Sequence, residues 1–250
     1  MAIEFTITEK KAGLKRPILI EGLPGLGLVG TIAASYLVEK LNMKPYGYIT
    51  SEKFPPLVAI HDHKPEYPIR LYYSKKYNLI ILLSEFIIPL SSVKDLADEI
   101  FKFSKSKNVK EIISLGSITI KGEQDTVYVI ASEEKGRERT KRLKEVELIK
   151  EGATTGVTAM LLAKGSLDDS ISVISLLAEA NPEYVDPKAA SMVLQRLNEL
   201  IPSLKVNTAQ LDKEAKDMEK RMMDIIGKGK TAQKKYKEME NENVVSTMYG

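Results

Sequence analysis

Apolar runs of strand length alternate with stretches of helical periodicity along most of this chain, and this alternation constrains the fold more than any other feature. The pattern is typical of an α/β domain, because parallel strands need crossover helices between them. Strands are predicted at 17–22, 46–51, 57–63, 69–74, 79–86, 111–118, 127–132 and 170–180, and helices at 26–41, from Ser91 or Ser92 onward, at 152–165 and at 185–201. We therefore predict a three-layer α/β sandwich around a mostly parallel sheet.

Several residues indicate where these elements begin, end or break. Asp186 followed by Pro187 is a clear helix start, with the acid as N-cap and proline at the first helical position. Ser91 or Ser92 is a candidate cap for the helix after the fifth strand, and Gly165 is a candidate terminator. Prolines, including Pro65, are expected to separate the middle strands, and residues 133–144 read as a charged surface segment.

The character of the chain changes after residue 204, which divides it into a body, 1–204, and a helical C-terminal arm, 205–250. Apolar residues in the arm recur at alternating intervals of four and three, namely Leu211, Ala215, Met218, Met222 and Ile225. This narrow stripe covers only about two heptads, which is short for a coiled coil. We expect Leu211, Met218, Met222 and Ile225 to pack against the body or against a neighbouring subunit.

The most conspicuous motif is EGLPGLGLVG at residues 21–30, which follows a predicted strand and opens a predicted helix. Gly25, Gly27 and Gly30 have dinucleotide-fingerprint spacing, and Glu52 lies about twenty residues further on. One hypothesis is therefore a nucleotide-binding enzyme. The alternative is that Gly22, Gly25, Gly27 and Gly30 form a structural glycine turn that allows close packing of helix on strand.

Charge and residue usage count against several other functional classes. Lys and Arg total 37 against 34 Asp and Glu, so the formal net charge of +3 does not predict nucleic-acid binding. The chain has no cysteine, which excludes disulfides and thiolate metal sites. His61 and His63, its only histidines, make a poor zinc site without a third ligand. No metal and no cofactor are expected.

No catalytic motif accompanies the glycine turn. The chain lacks a nucleophile elbow, a phosphate-binding loop ending in Gly-Lys-Ser or Gly-Lys-Thr and a zinc-protease signature. Neither Ser117 nor Thr155 has an identifiable base near it in sequence, so we predict that the protein is not an enzyme. The first residues do not resemble a signal peptide, and the apolar run near residue 80 is too short and interrupted to span a bilayer. We expect a cytoplasmic protein, with the Lys- and Glu-rich composition of heat-adapted proteins.

Three stretches, EGLPGLGLVG, GATTGVTAMLL at 152–162 and NPEYVDPKAA at 181–190, together resemble the archaeal branch of the proteasome assembly chaperone family. The resemblance covers about 17–204. It implies a phosphorylase-like body, similar in fold to the purine nucleoside phosphorylases but without their catalytic residues. It would also explain a glycine turn that binds no nucleotide.

The resemblance gives a meaning to the apolar end of the chain, NENVVSTMYG. Proteins that dock on the α-ring of the 20S proteasome carry a C-terminal hydrophobic-Tyr-X motif, which Met248, Tyr249 and Gly250 match. By this resemblance those three residues are the proteasome-binding site. The alternative is that Val244, Val245, Met248 and Tyr249 pack on the body or on an adjacent subunit.

The resemblance also implies partners. It points to a homo-oligomer, a tetramer or pentamer, that acts as a 20S assembly factor or as an ATP-independent activator or adaptor. A scaffold that recruits a paralogous chaperone subunit is a further hypothesis. No nucleic-acid or membrane partner is expected.

Overall fold

The computed structural model describes residues 3–119, 126–180 and 185–211, together with residues 223, 224, 227, 228, 231, 234 and 235 of the arm. The strands are β1 Glu4–Ile7, β2 Ile18–Gly22, β3 Lys44–Thr50, β4 Ala59–His61, β5 Lys64–Glu66, β6 Ile69–Ser74, β7 Leu79–Ser84, β8 Glu111–Ile118, β9 Val127–Ala131, β10 Val146–Leu148 and β11 Ser172–Glu179. The helices are α1 Val29–Lys40, preceded by a 3-10 turn at Leu26–Leu28, α2 Leu90–Ser106, α3 Glu134–Thr140, α4 Gly156–Leu167 and α5 Pro187–Leu200.

Nine of these strands form one sheet in the order β1-β3-β6-β7-β2-β8-β11-β9-β10. The centre is parallel, with β2 between β7 and β8 and with β11 beside β8. Antiparallel pairs extend it through β6, β3 and β1 on one side and through β9 on the other. The predicted α/β class is confirmed as a mixed sheet with a parallel core.

Helices cover both faces of the sheet and separate the core into two layers. Leu19 and Ile80 point toward the face covered by α2 and α4, whereas their neighbours Ile20 and Ile81 point toward the face covered by α1 and α5. All four are fully buried. Strands buried on both faces read as continuous apolar runs, which is why β7 was recognisable from its sequence. None of the described helices is both long enough and apolar enough to cross a membrane.

Helix boundaries agree with the sequence at one site and differ at two. The Asp186 cap is confirmed, because its Oδ1 accepts a hydrogen bond from the backbone N–H of Ala189 at 2.9 Å. Capping by Ser91 or Ser92 is wrong, since α2 begins at Leu90 with Pro89 at the N-cap. Gly165 does not end α4, which continues to Leu167.

Gly165 allows α4 to pack closely on the sheet and does not end the helix. A Cβ built on it would lie 2.6 Å from the Val173 side chain and 2.9 Å from Ser132 Oγ. The glycine therefore lets α4 approach the sheet at a distance that no larger residue allows.

The predicted strand at 57–63 contains only β4 and the turn after it, and β4 pairs antiparallel with β5 in a hairpin outside the main sheet. Asp62 and His63 make its turn with φ of 48° and 64°. Pro65 therefore lies within a strand and does not mark a break. The sequence also did not show the short strands β1 and β10, nor helix α3 inside the charged segment.

Core packing continues past residue 204 to Leu211, where the continuous described range ends. Leu204, Val206 and Leu211 are buried in the layer formed with α1 and α5. The Tyr36 hydroxyl donates a hydrogen bond of 2.6 Å to the carbonyl of Asn207. Leu211 thus packs on its own body, while the division at 204 remains a prediction.

Candidate functional site

The glycine turn between β2 and α1 is a site of very close packing. A Cβ on Gly30 would lie 2.1 Å from the carbonyl oxygen of Leu115 in β8, and a Cβ on Gly22 would lie 2.3 Å from the carbonyl oxygen of Gly30. Only glycine fits at these two positions, because α1 starts in direct backbone contact with the sheet. Close packing of α1 on the sheet therefore explains why residues 22 and 30 are glycines.

The outer side of the turn is occupied by protein. Gly27 has φ +61°, and a Cβ there would lie 3.0 Å from Ala180 Cβ and from Asp186 Cβ. The Gly27 carbonyl accepts a hydrogen bond from the Asp186 N–H at 2.9 Å. In a dinucleotide site the second glycine lets a pyrophosphate approach the backbone. Here Ala180 and Asp186 pack against that glycine. Among the four glycines only Gly25 has open space beside it, with Ser117 Oγ 3.7 Å from a built Cβ.

Glu52 is not placed to complete a nucleotide site. It follows β3, and the strands β6 and β7 lie between β3 and β2. At the usual spacing between strands, β3 is about 14 Å from β2. The spacing of Glu52 in sequence matches a dinucleotide fingerprint, but its position in the sheet does not.

A buried carboxyl lies directly beneath the glycine turn, and sequence reasoning missed it. Glu21 is 1% exposed. Its two carboxyl oxygens accept hydrogen bonds from Ser114 Oγ and Thr158 Oγ1, each at 3.1 Å, so that β2, β8 and α4 meet at this side chain. Burial raises the pKa of Glu21 from 4.5 to about 7, although hydrogen bonds from Thr158, Ser114 and the backbone of Leu23 lower it.

A second buried polar cluster fixes the β4–β5 hairpin to the body. Glu85, which is buried, accepts from Arg70 at 2.9 Å, and His61 Nε2 lies 2.9 Å from its other carboxylate oxygen. Arg70 also pairs with Glu66. His63 is exposed in the hairpin turn, so the two histidines point to different environments. Within the described ranges, no group of three His, Cys, Asp or Glu residues could hold a metal ion.

Large apolar side chains are exposed on the hairpin and on the neighbouring segments. We call this set the apolar rim, and it consists of Val58, Ile60, Tyr67, Ile87 and Leu90. Ile60 is 60% exposed and Leu90 is 88% exposed. The Pro68 carbonyl accepts from the Glu85 N–H, which joins the end of the hairpin to the loop that carries Ile87. Exposed apolar side chains on segments joined in this way are candidates for contact with another protein.

Most of the predicted binding residues lie outside the described part of the chain. Met218, Met222, Ile225, Met248, Tyr249 and Gly250 all belong to this group. The structure brings together Gly22, Gly25, Gly27 and Gly30 and buries Leu211. One signal of the apolar rim was present in the sequence, because Val58 and Ile60 alternate with Ala59 within a predicted strand.

Comparison with known proteins gives a consistent result along the body and into the arm. The model of the PAC2 family matches residues 19–226. An uncharacterized protein of Methanocaldococcus jannaschii is 35% identical over 219 residues, which span 88% of this chain and 89% of that protein.

Two solved structures from Pyrococcus furiosus share the fold. PbaA, described as an archaeal homolog of proteasome-assembly chaperone, superimposes with a TM-score of 0.80 at 30% identity, over 92% of this chain and 99% of its own. PbaB, described as an archaeal proteasome activator, gives a TM-score of 0.73 at 27% identity, over 90% and 98% of the two chains. The predicted resemblance to archaeal proteasome assembly chaperone homologues is confirmed.

Proposed function

The chain belongs to the PAC2 family, and from that premise we propose that it is a non-enzymatic chaperone homologue that binds the 20S proteasome as an assembly factor or ATP-independent activator. The observation that carries the proposal is its similarity to both PbaA and PbaB over at least nine-tenths of this chain. The packed glycine turn supports a binding role without nucleotide chemistry, because Ala180 and Asp186 pack against Gly27, the glycine that a pyrophosphate approaches in a dinucleotide site.

We assign contact with the proteasome α-ring to the C-terminal residues Met248, Tyr249 and Gly250. A tail of three residues offers few anchors and buries little area, so a single tail binds weakly. Several identical tails on one assembly raise the effective concentration and convert weak contacts into usable avidity. Docking through the tail therefore requires a homo-oligomer, for which four or five subunits are expected.

The apolar rim supports the proposal that the protein functions in a complex with other protein chains. Isolated apolar side chains on a protein surface need no explanation, but a cluster such as Ile60, Tyr67 and Ile87 costs solubility unless a protein surface covers it. Copies of this chain and a paralogous chaperone subunit are both candidate partners in a cytoplasmic assembly. The remaining arm residues Met218, Met222 and Ile225 are proposed to contribute to such subunit contacts.

The tail assignment is tested by removing its central anchor. Tyr249→Ala, or deletion of residues 248–250, is expected to abolish co-sedimentation with purified 20S proteasome, because the motif loses its tyrosine or is absent altogether. The matched control is Tyr236→Ala, which removes a tyrosine from the same arm but lies outside the motif.

Light scattering of each variant checks that the oligomer is intact, since loss of avidity alone would also reduce binding. Undiminished co-sedimentation of the Tyr249→Ala protein would exclude docking through the tail. Loss of binding in the Tyr236→Ala control as well would mean that the arm as a whole, and not the motif, makes the contact.

A further inference from the structure

A cleft of about 650 Å³ opens beside the apolar rim, between the loop that follows β3 and the junction of β5 with β6. Its apolar lining includes Ile49, Phe54, Leu57, Tyr67, Pro68 and Phe86. Binding clefts in proteins commonly enclose about 300–1,000 Å³ and are lined by apolar and aromatic side chains with a few polar groups. The cleft therefore has the size and the lining of a binding site.

Contacts within its walls hold the cleft in shape. On one wall, the Phe54 ring packs edge-on against Phe86 at 5.3 Å between centroids. Lys53, next to it in the chain, forms an ion pair of 2.6 Å with Asp95 of α2. Elsewhere in the lining, the Tyr67 ring stacks on Tyr48 at 4.2 Å between centroids. A cleft whose walls are already packed loses little conformational entropy when a ligand enters it.

Two carboxylates give the mouth of the cleft a negative charge. Glu4 and Glu52 line it, and both are exposed. Neither makes an ion pair with any residue that the structure describes, and the lysine adjacent to Glu52 is already paired with Asp95. A ligand with positive charge beside an apolar group would complement this arrangement.

The cleft also adjoins the edge of the main sheet. Glu4 is the first residue of β1, the outermost strand on its side, and β1 pairs only with β3 among the described strands. A free strand edge presents backbone donors and acceptors that an extended peptide can pair with. A peptide chain therefore fits this site better than a compact small molecule does.

We propose that this cleft binds an extended segment of a partner protein in which bulky apolar side chains are flanked by lysine or arginine. The apolar side chains occupy the space between Phe54 and Tyr67, and the basic residues face Glu4 and Glu52. This site is separate from the C-terminal motif, so the inference stands whether or not the tail docks on a proteasome.

Fluorescence anisotropy of labelled peptides tests the proposal on the full chain. The probe is a short peptide with Lys-Leu-Phe-Lys between Gly-Ser ends, and it is compared with peptides that carry Glu-Leu-Phe-Glu or Lys-Ser-Ser-Lys at the same place. We expect saturable binding of the first peptide and at least about tenfold weaker binding of the other two, because each lacks one half of the complementarity.

The charge-reversed variant Glu4→Lys with Glu52→Lys completes the test. It should bind the basic peptide about tenfold more weakly than the natural protein and the acidic peptide more tightly. Glu147→Lys is the matched control, since Glu147 is an exposed glutamate on β10, the outermost strand at the opposite side of the sheet, and it should change affinity less than about twofold.

Thermal melting of both variants checks that each is folded, which is expected because all three glutamates are exposed. The proposal is overturned if the basic peptide does not bind. It is equally overturned if the Lys-Ser-Ser-Lys peptide binds as well as the first, or if Glu147→Lys weakens binding as much as the double variant does.

Discussion

At the scale of single residues, Glu21 is the most unusual group in the described chain. It is a carboxyl with almost no contact with solvent, held by the hydroxyls of Ser114 and Thr158. Burial disfavours the charged form more than the hydrogen bonds favour it, so the pKa rises to about 7. Glu21 thus binds its proton more tightly in the folded protein than in the unfolded chain.

This raised pKa makes the stability of the protein depend on pH. Between about pH 4.5 and 7 the folded state binds more protons at Glu21 than the unfolded state does, so the free energy of unfolding falls as pH rises through this range. The loss is complete above pH 7. The increase in pKa from 4.5 to about 7 corresponds to about 3 kcal/mol.

The substitution Glu21→Gln tests this linkage, because glutamine has nearly the same shape and cannot ionise. The variant should be more stable than the natural protein at pH 8 by about 2–3 kcal/mol and similar to it near pH 4.5, as measured by urea unfolding at both values. A variant that is less stable than the natural protein at pH 8 would show that the carboxylate is favourably solvated in the folded state.

At the scale of elements, the contact of α1 with the sheet depends on glycines. Gly30 lies in the first turn of α1, and the carbonyl of Leu115 in β8 occupies the place where its side chain would be. Gly25, in the same motif, has extended backbone angles and room beside it. The two glycines belong to one motif, but Gly30 is tightly packed and Gly25 is not.

We therefore expect opposite outcomes for two alanine substitutions in one loop. Gly30→Ala should lower the free energy of unfolding by at least about 2 kcal/mol, because α1 must move away from a backbone atom that cannot yield. Gly25→Ala should change it by less than about 0.5 kcal/mol. Thermal and urea unfolding of both variants provide the measurement, and equal destabilisation would refute the claim that Gly30 is closely packed and Gly25 is not.

At the scale of the whole molecule, sheet order decides the question that the glycine motif raises. A dinucleotide site needs an acidic residue on a neighbouring strand to bind the ribose. Here Glu52 follows β3, which β6 and β7 separate from β2, and Ala180 and Asp186 pack against Gly27. Neither Glu52 nor Gly27 is therefore placed as a dinucleotide fingerprint requires.

Ligand-dependent melting checks this conclusion. A ligand that binds only the native state raises the melting temperature, by an amount that grows with concentration above its Kd. NAD, NADP and adenosine at millimolar concentration are expected to leave the melting temperature unchanged. A rise that saturates with NAD, and that Gly25→Ala removes, would restore the nucleotide-binding hypothesis.

Features that arise from local chemistry could be predicted from the residues alone. Continuous apolar runs identified β2, β7, β8 and β11, because strands buried on both faces need no polar alternation. The pair Asp186 and Pro187 marked the start of α5, because capping involves only residues within one turn. Three short motifs in order carried the resemblance to the family.

Features that depend on contacts between distant segments became visible only in the folded chain. Gly165 and Gly30 have the sequence signs of a helix end and a nucleotide loop, yet both are glycines because another element approaches them. Glu21 is buried by contacts with Thr158, which lies far away in sequence. The cleft between Phe54 and Tyr67 forms because the chain folds back through a hairpin. Periodicity reports which face of an element is apolar, but not which element covers that face, because packing partners are selected by the sheet order and not by the local chain.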